Sequence, residues 1–276
     1  VLTSQGIDTP FEVQLATIPD GLAGRDICGR APTGSGKTIA FGIPLIVRTA
    51  SSAPKAPSAL VLAPTRELAE QIADELRPLA RAQQLWVLAA YGGTNINRQI
   101  EQLKKGVDVL VACPGRLHDL LERKALTLGS VRSVVIDEAD RMADMGFLPE
   151  VRRILDLTPS DRQTLLFSAT LDKDVAALTR DYQSDPVRHE VGAKAPDIHR
   201  LRHHFWNVDR AQRIDVAVNL IRRAGKTLVF TRTRHGADRA AKQLRRGGIE
   251  AVVIHGARSQ NQRDRALSQF TEGQAL

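Results

Sequence analysis

The sequence predicts two α/β domains, each built on a parallel sheet, with the second domain incomplete. Three observations carry that expectation. Short apolar runs rich in β-branched residues alternate with longer amphipathic stretches. The runs are apolar at consecutive positions, as at Val134, Val135 and Ile136, which suits strands covered on both faces. The alternation pauses in GAKAP (192–196) and then restarts.

In chain order, strands are expected at 26–29, 59–63, 86–90, 107–112, 133–137, 163–168 and 187–191. Helical patterns lie between them at 38–48, 66–80 and 97–105. In the second of these, Leu68, Ile72, Leu76 and Leu79 line up on one helical face. This places a first domain over 1–192, a linker over 193–197 and a second domain over 198–276. The second domain offers strand candidates at 201–208, 227–231 and 250–255, fewer than the roughly 5–6 strands of an average sheet. The last residues, FTEGQAL, fall where another strand is expected to begin, so the domain is expected to be cut short.

Composition narrows the function classes. Hydrophobic residues make up 42% and charged residues 25%, ordinary for a globular protein. No apolar run approaches the ~20 residues of a membrane span, and the first residues lack the pattern of a signal peptide, so a cytoplasmic, non-membrane protein is expected. Cys28 and Cys113, both in apolar strand-like runs, are expected to be buried free thiols. Net charge is +8, unevenly spread: 1–192 holds 22 Lys and Arg against 24 Asp and Glu, whereas 193–276 holds 17 against 7. A basic second segment fits a polyanionic partner. Aromatics are sparse at 4%, which argues against a base-stacking platform, and Trp86 and Trp206 are expected in the core. The seven histidines show no metal-ligand spacing.

The chemistry is concentrated in two strings. APTGSGKT (31–38) lies between a strand and an amphipathic helix, where a phosphate-binding loop belongs. Ala31, Thr33, Gly34, Ser35 and Gly36 would offer backbone N–H groups, Lys37 would reach the phosphates and Thr38 would hold Mg²⁺. Ala31 stands where the strict pattern has glycine. VVIDEAD (134–140) is a buried strand ending in carboxylates, which need a cation or partners there. Asp137 is the expected Mg²⁺ holder and Glu138 the group that orients and deprotonates the attacking water.

DEAD at 137–140 resembles the motif that names the DEAD-box RNA helicases. PTRELA (64–69), Gly92–Gly93, PGR (114–116) and SAT (168–170) match motifs of that family in order, and GIDTPFEVQ (6–14) resembles its adenine-reading motif. Thr231–Arg232 and the Gln260/Arg263 pair match second-domain motifs. The resemblance implies two RecA-like domains, ATP and Mg²⁺ as cofactors, and RNA bound through its backbone by a monomer. It implies that Gln14 reads adenine, a task suited to an amide that donates and accepts at once. It assigns RNA contacts to Pro64, Thr65, Arg66, Gly92, Gly93, Pro114, Gly115 and Arg116, and to Arg232, Gln260 and Arg263. Ser168 and Thr170 would link nucleotide state to domain closure through the carboxylates of the DEAD segment.

The sequence departs from the family in places. Cys113 stands where Thr is usual, and Phe11 and Glu12 stand where Thr-Pro is commoner. The last two family motifs, arginine fingers included, do not occur before Leu276, so the chain is expected to bind nucleotide with little activity. The expected function is an ATP-dependent RNA-remodelling motor core. A non-catalytic ATP-gated RNA clamp is the alternative from another class, and Glu138 argues against it; a DNA helicase of the same superfamily is the other.

Overall fold

The computed structural model describes residues 1–192 and 202–275. Two compact units divide the chain, Val1–Pro196 and Asp197–Leu276. The linker read at 193–197 and Leu201 lie outside the described residues.

In the first unit seven strands form one parallel sheet in the order β3-β4-β2-β5-β6-β1-β7. They are β1 (Ile27–Arg30), β2 (Ala59–Leu62), β3 (Val87–Ala90), β4 (Val109–Ala112), β5 (Ser133–Asp137), β6 (Gln163–Ser168) and β7 (Val187–Glu190). Every strand expected from the sequence in 1–192 is present, with ends moved by at most two residues. β2, β3, β4, β5 and β6 are buried along their whole length, which is why their sequences read as unbroken apolar runs.

Alternate side chains of each strand feed two separate cores. Leu60, Leu62, Leu110, Val134 and Ile136 enter one, capped by α4 (Ile96–Lys105), α5 (Pro114–Glu122), α6 (Ala139–Asp144), α7 (Leu148–Asp156) and α8 (Lys173–Tyr182). Ala59, Val61, Val109, Val135 and Phe167 enter the other, capped by α1 (Glu12–Leu22), α2 (Lys37–Arg48) and α3 (Arg66–Ala82). On α3, Ile72 and Leu76 are fully buried while Leu68 and Leu79 pack at the margin of that core.

The register decides which residues meet at the carboxyl edge. Arg30 pairs with Ser168 and Asp137 with Phe167, so the segments that follow β1, β5 and β6 emerge side by side. The approach of β1 to β6 is close. A Cβ on Gly29 would lie 2.7 Å from the ring of Phe167, which is itself fully buried.

The second unit departs from the sequence expectation. Its described elements are α9 (Arg213–Ala224), α10 (Arg234–Arg246) and α11 (Gln260–Thr271), and none of the strand candidates at 202–208, 227–231 and 250–255 forms a ladder among the described residues. A strand is completed by its neighbour's N–H and C=O groups, and β-propensity alone cannot supply one. Phe205 and Phe230 are 95% and 91% exposed, and the small core rests on Val218, Ile221, Leu244 and Ile249.

Both tryptophans are likewise outside the core, with Trp86 at 64% and Trp206 at 59% exposure. Trp86 precedes an edge strand, where no further strand covers it, although its N–H donates to Asp108 and its carbonyl accepts from Asp108 and Val109. Cys28 is a buried free thiol in β1, whereas the free thiol Cys113 caps α5 and is half-buried. Among the described residues, no helix is long and apolar enough to cross a membrane.

Gly29→Ala is expected to destabilise the first unit by about 1–3 kcal/mol, because the added methyl meets an aromatic ring that cannot retreat. Urea denaturation followed by far-UV circular dichroism checks it; wild-type stability would show that β1 and β6 can separate without cost.

Candidate functional site

The chain leaves β1 at Arg30 and enters α2 at Lys37, and the six residues between form the expected phosphate loop. Gly34 and Gly36 have φ of 81° and 87°, the left-handed region that glycine adopts without strain. Gly36 is also hemmed in: a Cβ there would lie 2.5 Å from the Phe11 ring and 2.6 Å from Gln14 Nε2. Gln14, 3% exposed, donates from Nε2 to the Gly36 carbonyl (3.1 Å) and accepts from Phe11 N–H at Oε1 (2.9 Å). The amide that the sequence nominates as a base reader therefore also ties the start of α1 to the phosphate loop. Each of its ends keeps capacity for one more hydrogen bond.

Lys37 opens α2 and is 6% exposed, with Nζ 3.7 Å from Asp137 Oδ1. That separation makes an ion pair and is too long for a hydrogen bond, so the buried ammonium has no hydrogen-bond partner among the described residues. Asp137, 2% exposed at the end of β5, accepts from Glu138 N–H (3.0 Å). Burial pushes its carboxyl up to about 6; Lys37 works against that rise and Glu138 adds to it. Thr38 lies beside Lys37, half-buried.

Glu138 has left-handed backbone (φ 52°) where β5 turns into α6. Its carboxylate accepts from Thr33 Oγ1 (3.2 Å) in the phosphate loop and lies 3.7 Å from Arg141. Two residues past Glu138, Asp140 joins the end of β6: its N–H donates to Ser168 Oγ (3.1 Å), and its carboxylate accepts from Thr170 N–H (3.0 Å) and Oγ1 (3.1 Å). Thus 31–38, 137–140 and 168–170 form one connected edge. Ala31 N–H donates to the Ser168 carbonyl, closing it.

A second group occupies the ends of β2, β3 and β4. Pro64 is buried, and Thr65 caps α3 by accepting from Leu68 N–H (3.2 Å). Gly93 has φ of 87°, and a Cβ there would lie 2.2 Å from Arg66 Nη1, so the guanidinium of Arg66 lies directly against the Gly92–Gly93 turn. Pro114 and Gly115 begin α5 behind the Cys113 cap. Burial pushes the Cys113 thiol up to about 12, against the pull of Arg66. Arg116, whose side chain is only 9% exposed, is turned inward onto Gln99 and Thr94. Neither partner was singled out from the sequence. Gln99 had a signal: it is the polar member of an i, i+3, i+4, i+7 face with Ile96, Ile100 and Leu103.

In the second unit, Arg232 is exposed just before α10, while Gln260 and Arg263 are bonded to each other in the first turn of α11. Asp238 in α10, unremarked in the sequence, accepts from His255 (3.2 Å) and pairs with Arg258 just before α11. The His255 bond is the main reason its carboxyl sits below the usual range.

Lys37→Met is expected to raise the Asp137 titration above its value of about 6, since the cation that opposes the rise is removed while the burial stays. Carbon-13 NMR of the Asp137 carboxyl checks this; an unmoved midpoint would show the two groups to be uncoupled.

Comparison with known proteins agrees with this arrangement. Residues 11–178 match the DEAD/DEAH box helicase family, and 211–275 match the helicase conserved C-terminal domain. The chain is 38% identical over 274 residues to the DEAD-box ATP-dependent RNA helicase CshA of Bacillus subtilis (strain 168), covering 99% of this chain and 55% of that protein. It is 39% identical over 280 residues to the ATP-dependent RNA helicase dbp2 of Schizosaccharomyces pombe, covering 98% and 51%. It therefore spans about half the length of these curated relatives. Among solved structures it resembles a DEAD box protein from the hyperthermophile Methanococcus jannaschii, with a TM-score of 0.65, 33% identity, and coverage of 99% of this chain and 74% of that one. The chain belongs to the DEAD/DEAH box helicase family.

Proposed function

We propose that this chain carries the ATP-handling core of an RNA-remodelling motor, in which nucleotide binding and hydrolysis alter the grip on an RNA backbone. The observation that carries the reading is the buried Lys37 ammonium, which has a carboxylate neighbour and no hydrogen bond, at the mouth of a loop whose glycines permit converging N–H groups. An orphaned buried cation is costly, and phosphate oxygens are partners that relieve the cost.

In this reading the phosphate loop (Ala31, Thr33, Gly34, Ser35, Gly36) and Lys37 hold the ATP phosphates, and Gln14 reads the adenine edge. Thr38 and Asp137 are hard oxygen donors of the kind Mg²⁺ selects, and the metal would neutralise charge on the phosphate oxygens. Glu138 accepts the proton of the water that attacks the γ-phosphorus as the bond to the β–γ bridging oxygen breaks. Its left-handed backbone and its bond to Thr33 keep it facing the loop. The links from Asp140 to Ser168 and Thr170 connect that carboxylate-bearing turn to the end of β6, a route by which nucleotide state can be felt elsewhere.

The RNA backbone is assigned to the neighbouring edge. Arg66 makes no hydrogen bond among the described residues and lies beside a glycine turn, so its fork is available to a phosphate. Pro64, Thr65, Gly92, Gly93, Pro114 and Gly115 belong to the same edge, Arg116 is turned inward beside it, and Arg232, Gln260 and Arg263 are the second-domain candidates. Contacts of this kind position a backbone without reading sequence.

Two experiments test the nucleotide half. Glu138→Gln, in a longer protein that contains this chain and the remaining family motifs, is expected to keep ATP affinity and lower RNA-stimulated turnover by about 10²–10⁴; near-normal hydrolysis there would remove Glu138 from the chemistry. Gln14→Ala is expected to weaken ADP more than inorganic tripolyphosphate. A smaller loss is expected for tripolyphosphate as well, because Gln14 also braces Gly36. Calorimetric titration of both ligands decides, and equal losses would leave Gln14 as a brace alone.

A further inference from the structure

We infer that Gln99 and Arg116 are positioning residues for the Gly92–Thr94 turn, with Arg116 acting through that turn and not as a phosphate contact. The inference rests on the RNA reading of this edge given above. Three facts carry it. The Arg116 side chain is 9% exposed, so its guanidinium is withdrawn from the surface where a phosphate would lie. Three of its five N–H groups are turned inward: Nη1 donates to Gln99 Oε1 (2.7 Å) and Thr94 O (3.4 Å), and Nη2 donates to Thr94 O (3.3 Å). Its remaining nitrogen, Nε, is buried and 3.8 Å from Asp119. Arg66 differs on each count, being half-exposed and without a hydrogen bond among the described residues.

Gln99 completes the clamp. It is 5% exposed, and its Nε2 donates to Tyr91 O (3.3 Å) and Thr94 Oγ1 (2.9 Å) while Oε1 accepts from Arg116. The chemistry fixes the orientation of the amide, since a carbonyl can only accept and a guanidinium can only donate. A glutamine is required because the site needs a donor and an acceptor on one planar group. The two side chains thereby hold both ends of the turn, Tyr91 and Thr94, around the left-handed Gly93. The turn they hold lies directly against the Arg66 guanidinium.

The substitutions separate the two roles. Gln99→Glu keeps an acceptor for Arg116 but sets a carboxylate oxygen against Tyr91 O, so the turn is released while Arg116 stays held. Gln99→Leu removes both links. Arg116→Lys keeps the charge and loses the fork that spans Gln99 and Thr94. All three are expected to weaken binding of a fluorescein-labelled oligouridylate to the 276-residue chain by about tenfold, the scale of one or two lost hydrogen bonds. Binding is read by anisotropy with Mg²⁺ and a non-hydrolysable ATP analogue present. ADP affinity is expected to stay within about twofold of wild type, and the Gly92 and Gly93 amide resonances are expected to move. A merely structural role would lower thermal stability without this split between RNA and ADP. Arg66→Ala serves as the control for the RNA reading itself: if wild type does not bind the oligonucleotide, or Arg66→Ala binds as well as wild type, that reading fails and the inference fails with it. If Arg66→Ala loses affinity while Gln99→Glu and Arg116→Lys do not, only the positioning role is overturned. Should the Gln99 variants fold poorly, Arg116→Lys decides alone.

Discussion

A lysine ammonium and a carboxylate stand 3.7 Å apart at the carboxyl edge of a parallel sheet, both almost out of water. Separating either group from water is expensive, and at that distance their attraction offsets the cost only in part. The raised Asp137 carboxyl records the shortfall: burial outweighs the cation beside it. The remaining demand can be met by a ligand that brings both phosphate oxygens for Lys37 and a metal for Asp137. The rest of the first unit can be understood as the frame that keeps this pair in place. β1 and β5 end next to β6 on either side, and the packing of Gly29 on Phe167 holds β1 and β6 close.

Around that pair the polar contacts are arranged as a chain. Thr33 reaches Glu138, the backbone of Asp140 reaches Ser168, and the Asp140 carboxylate reaches Thr170. Each link joins residues at or beyond the ends of different strands, so the three segments are tied across the edge by bonds of about 3 Å. On the neighbouring part of the edge the logic is different. There one arginine lies against a glycine turn while another is turned inward onto Gln99, so two residues of identical chemistry sit in different environments.

Most of the first unit was legible in the sequence because its signals are local. Strands buried on both faces produce apolar runs, as in β2 to β6, and all seven expected strands lie within two residues of their observed ends. The phosphate loop announces itself through glycines and Lys-Thr between a strand and a helix, and the DEAD string through carboxylates at the end of an apolar run. The helical face of α3 followed from its spacing. The tryptophans did not follow, because exposure at Trp86 depends on β3 being an edge strand, a property of strand order that no single segment encodes.

The sequence by itself determined the alternation of strands and helices in the first unit and the family to which the chain belongs, and it nominated the residues proposed to hold phosphates and a cation. Only the tertiary structure decided that Asp137 and Lys37 form a buried pair, that Gln14 braces Gly36, that Arg116 turns inward while Arg66 stays available, and that the second unit's β-rich segments form no ladder among the described residues. The physical reason is the same in each case. Propensity and motif are properties of a stretch of chain, whereas burial, ion pairing and strand pairing are relations between stretches, set by register and by the neighbour that is or is not there.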